Sequence, residues 1–267
     1  MFLVAALAAT EGRAVATVDF PGAFLHAELR DDDGRPPVLV RLNKFETRVL
    51  VRVDKSFEKF VGKDGRCVVK LNRALYGCVE SARLWYEKLS KELMEMGFTK
   101  NRVEQCVFNR MEADGSQTSL VIHVDDVMIS AKSEGHIDKF VSDLKKKYKE
   151  LTVQRGSVLE YLGMVFDFKT QGKVKITMSG YLKDFLEFVD LIEGTARTPA
   201  GEDLFKIDES SEKLDKQKRE FFHSVTTKTL YLGKCVRPGF LNCSGPKYYK
   251  TAANLLSRIL HTYSHDS

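Results

Sequence analysis

Hydrophobic residues recur along the chain in two patterns, one with the three- to four-residue spacing of helices and one with the short β-branched runs of strands. The first pattern, or an Ala- and Leu-rich composition, predicts helices at Met1–Thr10, Ser81–Met96, Ile137–Tyr148 and Tyr181–Leu191, with a further helical region after Phe221. The second predicts a strand that ends at Asp19 and further strands at Val38–Leu42, at Val49–Val53, around Val107 and at Val121–Ile129. It also predicts a hairpin formed by Tyr161–Phe168 and Val174–Met178. Helices and strands are therefore interspersed through most of the chain.

Two adjacent aspartates, Asp125 and Asp126, interrupt the apolar run from Leu120 to Ile129. Buried carboxylates have to be paired, hydrogen-bonded or bound to a metal, and like charges this close raise each other's pKa unless they share a cation. The β-branched residues on both sides predict two short strands with the acids at or near a tight turn between them. Taken alone, this stretch is explained equally well by an ordinary hairpin with a solvated turn.

A third acid, Asp19, ends a strand-like run and is followed by Pro21 and Gly22, which stop regular strand pairing. One carboxylate at a strand end and a pair in a hairpin form an arrangement that holds two magnesium ions. Magnesium prefers oxygen ligands and takes one or two carboxylates together with substrate phosphates. Two such ions, about 3.5–4 Å apart, stabilise the attacking and leaving oxygens of a phosphoryl displacement. The three acids therefore point to phosphoryl-transfer chemistry.

Several short motifs accompany these acids in a fixed order. The main ones are Asp19 with Ala23-Phe24-Leu25, Leu75-Tyr76-Gly77 with Arg83 and Trp85-Tyr86, His123-Val124-Asp125-Asp126, and Tyr161-Leu162-Gly163-Met164. Smaller ones are Gly97-Phe98, Cys106-Val107-Phe108, Thr198-Pro199, and Leu230-Tyr231-Leu232 with Arg237-Pro238. In this order the motifs resemble those of the Ty1/copia retrotransposon reverse transcriptases, from about Met1 to about Pro238. Each motif alone has little specificity, whereas the ordered set is specific.

The resemblance implies an α+β fold in which a polymerase palm-type antiparallel sheet packs on helices, with partial fingers and a C-terminal helical thumb or connection remnant. The implied domains are a palm with partial fingers at 1–196, a polar linker at 197–220 and the helical remnant at 221–267. The implied activity is RNA-directed DNA synthesis, in which a primer 3′-hydroxyl attacks a deoxynucleoside triphosphate (dNTP) with two Mg²⁺ ions, or Mn²⁺ in their place, as cofactors. The implied partners are an RNA template, a DNA primer, dNTPs and the rest of a retroelement polyprotein, including integrase and ribonuclease H.

The resemblance also implies roles for single residues. Asp19, Asp125 and Asp126 would be the catalytic acids and metal ligands, and the backbone carbonyl of Phe20 would be a further ligand. Phe24 matches the aromatic steric gate that rejects a 2′-hydroxyl, whereas without the family it is more simply explained as a core residue in the turn after a strand. The implied nucleotide-binding residues are Ala23, Phe24, Tyr76 and Gly77. The implied template and primer contacts are Arg83, His123, Tyr161, Leu162, Gly163 and Met164, of which the last four would form the primer grip.

Composition permits this function without requiring it. The 267 residues suffice for one large or two small domains, and the net charge of +5 gives a mild preference for polyanions. The densest cationic stretch, Lys145–Lys149, is explained more simply as the solvated face of an amphipathic helix than as a phosphate contact. Five scattered cysteines without Cys-x-x-Cys spacing argue against zinc and a disulfide framework, which fits an intracellular setting, cytoplasmic or nuclear.

The apolar segment Met1–Ala9 has two explanations, a signal peptide or the helix that precedes the first catalytic strand in the resembled family. It lacks a basic leading region, and cleavage would fall only a few residues before Asp19, which favours the helix. Since no other stretch approaches the roughly 18 continuous apolar residues of a membrane span, no membrane partner is expected.

Departures from the family pattern leave more than one function open. Cys78-Val79-Glu80 stands where the family commonly has Leu-Lys-Gln, His123 replaces a tyrosine, and the chain begins almost at the palm, without the fingers region that clamps the triphosphate in relatives. We therefore expect an N-terminally truncated polymerase domain that is weak or inactive in isolation. One alternative is a catalytically dead remnant that at most binds nucleic acid. Another is an unrelated metal-dependent phosphoryl-transfer enzyme that uses the same acids.

Overall fold

The computed structural model describes residues 1–29, 36–189 and 214–236. These residues divide into two compact units between Gly156 and Ser157. The first unit contains a six-stranded antiparallel sheet with helices packed against it, and the described part of the second contains a three-stranded antiparallel sheet and two helices. The α+β fold class expected from the sequence is confirmed.

Most helices of both units follow the hydrophobic pattern of the sequence. The helices are α1 (Phe2–Glu11), α2 (Lys44–Val53), α3 (Ser81–Glu95), α4 (Glu134–Lys147), α5 (Ser179–Val189) and α6 (Lys216–Cys235), with short 3-10 helices at Ala23–His26 and Lys55–Phe60. The strands are β1 (Ala14–Asp19), β2 (Leu39–Arg41), β3 (Val68–Lys70), β4 (Thr99–Lys100), β5 (Val107–Met111), β6 (Gln117–His123), β7 (Asp126–Ala131), β8 (Thr152–Arg155), β9 (Val158–Tyr161), β10 (Met164–Asp167) and β11 (Lys175–Thr177). The predicted helices α1, α3, α4 and α5 are confirmed, with ends that shift by a few residues.

Strand β1 lies inside the first sheet, whose order is β4-β5-β6-β7-β1-β8. Its four central residues, Val15–Val18, are all buried, so both faces of the strand are covered. One face packs with α3 and α4 into the main core, to which these helices contribute Trp85, Leu89, Leu93, Ile137, Phe140, Val141 and Leu144. Helix α1 contacts β7. Burial on both faces explains why the residues before Asp19 are apolar at consecutive positions, with Thr17 as the exception, and do not alternate between apolar and polar.

The predicted strand at Val49–Val53 is wrong, because these residues form the second half of α2. This helix begins with a capping box. The Asn43 side chain accepts hydrogen bonds from the backbone N–H groups of Phe45 and Glu46, and the Glu46 carboxylate accepts one from the Asn43 N–H at 2.7 Å. The valines at both ends of the predicted strand are four residues apart and exposed, a spacing that one side of a helix also produces.

The single strand predicted at Tyr161–Phe168 is divided by a turn. Strand β9 ends at Tyr161, β10 begins at Met164, and the two strands pair antiparallel around Leu162-Gly163. Leu162 has a φ of 53° and Gly163 a φ of 70°, and positive φ at both central residues is characteristic of a two-residue type I′ hairpin turn. Strand β10 also pairs with β11, so the hairpin predicted with Val174–Met178 is confirmed.

Helix α6 begins at Lys216, inside the predicted linker, where the Asp215 carboxylate accepts a hydrogen bond from the Lys218 N–H at 2.8 Å. Residues 197–213 of that linker, and the predicted helical remnant from residue 237 onward, lie outside the described residues. The division into palm, linker and thumb therefore stays a prediction. No helix in the described ranges is both long and apolar enough to cross a membrane.

Candidate active site

Asp19 and Asp126 lie opposite each other on two neighbouring strands. Asp19 is the last residue of β1, Asp126 is the first residue of β7, and the two are register partners in the antiparallel pair. Asp125 immediately precedes this position, in the two-residue turn Val124-Asp125 that joins β6 to β7. The turn predicted from the sequence is confirmed. The structure therefore brings the three acids together at one end of the sheet.

Burial and neighbouring negative charge make two carboxylates of this cluster, those of Asp19 and Asp126, harder to ionise. Burial raises the pKa of Asp19, and the negative charge of Asp125 adds to the rise. Burial also raises the pKa of Asp126; Asp125 and Asp19 add to that rise, and His123 opposes it. Since like charges in a partly desolvated site cost free energy, the cluster is a place where a bound cation would be favourable.

The turn that carries Asp125 has a strained backbone. Val124 has a φ of 54°, a left-handed conformation that is an outlier for a β-branched residue. A positive φ at the first central residue only is characteristic of a type II′ turn, in which glycine is usual at that position. Two hydrogen bonds hold the turn: the Phe20 N–H donates to the Asp125 carbonyl at 3.1 Å, and the Trp85 indole N–H donates to the Val124 carbonyl at 2.6 Å. The contact of Trp85 was not predicted, because no spacing in the sequence links α3 to this hairpin.

Of the four predicted nucleotide-binding residues, Tyr76 contacts the acidic cluster and Phe24 contacts Tyr76. The Tyr76 hydroxyl donates to Oδ2 of Asp125 at 3.1 Å, and the centroids of the Tyr76 and Phe24 rings are 4.4 Å apart. Burial raises the pKa of the Tyr76 hydroxyl, and its hydrogen bond to Asp125 raises it further. Phe24 is 8% exposed and Tyr76 is 55% exposed, so Tyr76 is the solvent-facing member of the pair. Ala23 is fully buried, and Gly77 has a φ of 95°, which residues with a side chain rarely adopt.

The predicted template and primer residues are divided between the two units. In the first unit, His123 is exposed at the end of β6, and Arg83 on α3 forms an ion pair with Glu87 at 2.7 Å. Arg83 also lines an open cleft of about 650 Å³ beside α3. Tyr161–Met164 belong to the second unit, where they form the end of β9, the hairpin turn and the start of β10.

The donor set of the acid cluster fits a magnesium site in its chemistry. Carboxylate and carbonyl oxygens are the ligands that magnesium prefers, and one or two carboxylates suffice when water and substrate phosphates complete the shell. The Phe20 carbonyl accepts a hydrogen bond from the Ala23 N–H at 3.0 Å and keeps a second lone pair. Within the described ranges, however, no group of three or more His, Cys, Asp or Glu side chains is arranged to hold a metal ion.

Fold and site together define an α+β protein with an acidic hairpin next to a strand that ends in a third acid. The family model described as reverse transcriptase (RNA-dependent DNA polymerase) matches residues 1–200. The chain therefore belongs to the reverse transcriptase family, and the resemblance to its Ty1/copia branch is confirmed.

Curated relatives of the chain are transposon proteins. The retrovirus-related Pol polyprotein from transposon TNT 1-94 of Nicotiana tabacum is 27% identical over 187 residues, which are 69% of this chain and 12% of the relative. A transposon Ty5-1 protein of Saccharomyces cerevisiae is 25% identical over 115 residues, 43% of this chain and 36% of the relative. The Ty1-DR1 Gag-Pol polyprotein of the same yeast is 24% identical over 179 residues, 64% of this chain and 9% of the relative. The chain thus spans only a part of each of these relatives.

Proposed function

We propose that this chain is the polymerase domain of a copia-type retrotransposon polyprotein and extends a DNA primer along an RNA template. The observation that carries this proposal is the register of Asp19 against Asp126, next to the turn that carries Asp125. Three acids from two distant parts of the sequence meet at one end of an inner strand, in a chain that belongs to the reverse transcriptase family. The other partners in the proposal are dNTPs and the rest of the polyprotein.

In this proposal the chain supplies ligands and positions rather than a covalent intermediate. Asp19, Asp125 and the Phe20 carbonyl provide oxygen ligands, and Asp126 is the third acid beside them. Two bound Mg²⁺ ions, or Mn²⁺ ions, would supply charge neutralisation at the attacking hydroxyl and at the triphosphate. Because Phe24 lies under the exposed ring of Tyr76, this pair is suited to pack against the sugar of the incoming nucleotide and to exclude a 2′-hydroxyl.

Template and primer contacts complete the proposal. Arg83 and His123 are exposed in the first unit and are available to a nucleic-acid strand, although Arg83 would have to exchange its ion pair with Glu87 for a phosphate. The hairpin turn at Tyr161–Met164 is proposed as the primer grip. The net charge of +5 favours contact with a polyanion.

The test is a primer-extension assay with an RNA template, a DNA primer, dNTPs and Mg²⁺. We expect slow synthesis by the wild-type chain and a loss of at least about 100-fold for Asp125→Asn, because the replaced carboxylate can no longer serve as a ligand. Asp114→Asn is the matched control, since Asp114 lies in the turn at the opposite end of β6. Activity of Asp125→Asn within about tenfold of wild type would refute the assignment.

A second candidate is a catalytically dead remnant that binds nucleic acid. It is favoured by Cys78-Val79-Glu80, where the resembled family has a basic and an amide side chain near the template. For this candidate we expect salt-sensitive binding of a primer–template with no synthesis by the wild-type chain.

A further inference from the structure

Trp85 contacts both of the segments that carry the acids. Its ring centroid lies 5.3 Å from that of Phe20, the residue directly after Asp19, in an edge-to-face arrangement. Its indole N–H donates to the Val124 carbonyl at 2.6 Å, directly before Asp125. Trp85 is fully buried and is the single tryptophan of the chain. One side chain therefore links the end of β1 to the turn between β6 and β7.

The turn needs such support because of its backbone conformation. A non-glycine residue at positive φ persists only where its surroundings over-determine it. At Val124 these surroundings are two hydrogen bonds, one to each carbonyl of the turn, from the indole of Trp85 and from the Phe20 N–H. Loss of the indole donor would leave a half-buried carbonyl unpaired and would let the turn relax toward less strained conformations.

Trp85 is itself fixed by the side chains around it. The ring of Tyr148 packs edge-on against Phe20 at 5.0 Å and against Trp85 at 5.9 Å. The Tyr148 hydroxyl donates to the carboxylate of Glu92, which lies on the same helix as Trp85. The indole therefore cannot rotate away from Val124 without disturbing this buried cluster.

We propose that Trp85 is a positioning residue of the candidate active site: its indole N–H fixes the strained turn and thereby sets the direction of the Asp125 carboxylate. This inference rests on the proposed function, since it assigns Trp85 a role in the site of that reaction. Groups that orient metal-ligating side chains commonly change metal affinity or activity by about 10–100-fold when they are removed. A tryptophan that only fills the core would instead change stability alone.

The single tryptophan allows a test at the level of one atom. Biosynthetic replacement of tryptophan by 3-benzothienylalanine changes only position 85, keeps the ring shape and replaces the N–H by sulfur. The control is 5-fluorotryptophan, which keeps the N–H, and Trp85→Phe is a second variant without the donor. Tyr148→Phe serves as a packing control, because it keeps the ring that packs against Trp85 and removes only a buried hydroxyl, which bonds to Glu92 and not to the turn.

Two readouts are measured, primer-extension kinetics and Mn²⁺ affinity by electron paramagnetic resonance of the free ion, with melting temperature as a check on folding. Without the N–H we expect kcat to fall about tenfold or more, KM for dNTP to change less than about threefold, and Mn²⁺ affinity to fall about tenfold. The fluorinated protein should match wild type in both readouts, and Tyr148→Phe should lose stability only.

The outcomes separate this inference from the proposed function. If wild type synthesises DNA and the benzothienyl protein retains its kcat and Mn²⁺ affinity within twofold, the role of Trp85 is overturned and the polymerase assignment stands. If wild type synthesises no DNA but binds Mn²⁺ in a way that depends on both Asp125 and the indole N–H, the polymerase assignment fails while the positioning role is supported. Absence of Asp125-dependent Mn²⁺ binding in wild type would overturn the positioning role.

Discussion

The carboxylates of Asp19 and Asp126 are kept close together at a cost to the fold. Their pKa values are raised mainly by burial, and neighbouring acids add to the rise. The carboxyl groups of Asp19 and Asp126 therefore bind protons more tightly in the folded chain than in the unfolded chain. By linkage, the free energy of unfolding decreases as pH rises from about 4 through the raised pKa values, and the full cost is present above them.

Asp126→Asn is therefore expected to stabilise the protein at neutral pH, because it removes one charge from the cluster. The gain should be modest, less than about 1 kcal/mol after screening by solvent, or up to about 2–4 °C in melting temperature. It should disappear as pH falls below about 4, where the wild-type carboxyl is protonated in both the folded and the unfolded chain. Thermal unfolding followed by circular dichroism between these pH values measures the effect.

Asp114→Asn is the control for this prediction, because it removes an aspartate whose pKa is lowered and not raised. Hydrogen bonds from Ser116 lower the pKa of Asp114, and Lys132 adds to this effect, so its charge favours the fold. This variant should be no more stable than wild type at neutral pH. If Asp126→Asn lowered the melting temperature at neutral pH as much as Asp114→Asn does, the idea that the charge of Asp126 costs folding free energy would be contradicted.

Phe24 is predicted to set the choice between deoxyribonucleotides and ribonucleotides. Phe24→Val shortens the side chain under the Tyr76 ring, so the space for a 2′-hydroxyl should open. We expect the preference for dNTP over ribonucleotide, measured as the ratio of kcat/KM values, to fall by about 10–100-fold. Tyr76→Phe, which keeps both rings, is the control and should preserve the ratio. An unchanged ratio in Phe24→Val would favour a buried core role for Phe24.

Among the described residues, the hairpins β6–β7 and β9–β10 carry the positive-φ residues that are not glycine, Val124 and Leu162. In each case the carbonyl of that residue accepts a 2.6 Å hydrogen bond from an aromatic side chain on a helix, Trp85 for Val124 and Tyr231 for Leu162. Burial raises the pKa of the Tyr231 hydroxyl to about 12, so it remains a donor at neutral pH. Both turns thus have a fixed main-chain conformation.

Tyr231→Phe is expected to weaken primer binding if the Leu162-Gly163 turn is the primer grip. The variant keeps the ring and loses one hydrogen bond to the turn, so KM for primer–template should rise about 3–10-fold while kcat changes little. Tyr181→Phe is the matched control. The Tyr181 hydroxyl, on α5, donates to the backbone carbonyl of Lys228, which lies on α6 as Tyr231 does, and this bond does not involve the turn. Equal effects of both variants would contradict a specific role for the turn.

The sequence predicted helices and strands correctly where a single hydrophobic spacing, helical or strand-like, dominated the segment. The core-facing residues of α3 and α4 have helical spacing, and the hairpin at Asp125-Asp126 is bounded by β-branched runs. The prediction failed where spacing is ambiguous, as in α2, whose valines fit both a helix and a strand until the Asn43 capping box is considered. It also missed the turn after Tyr161, because a leucine at positive φ gives no signal in the sequence.

For the whole molecule, the approach of Asp19 to the hairpin could not be predicted from local patterns. It follows from the pairing of β1 with β7, a long-range contact that depends on how the core packs. The ordered family motifs anticipated this approach, since the resemblance carries the pairing with it. Trp85 was quoted within those motifs, but its link between the two acid-bearing segments depends on α3 lying over the sheet, which no motif expresses.

The net charge of +5 leads to a prediction that separates catalysis from binding in the intact chain. Because binding to phosphates releases counterions, affinity for a primer–template should fall about tenfold or more between 50 and 200 mM salt. Fluorescence anisotropy at several salt concentrations measures this slope for wild type and Asp125→Asn in the absence of divalent ions. The two proteins should bind with similar slopes, because Asp125 contributes no phosphate contact, and only wild type should extend the primer once Mg²⁺ is added. Binding by both proteins with extension by neither would identify the chain as a remnant that keeps its affinity for nucleic acid, whereas salt-independent binding would contradict a phosphate-dominated interface.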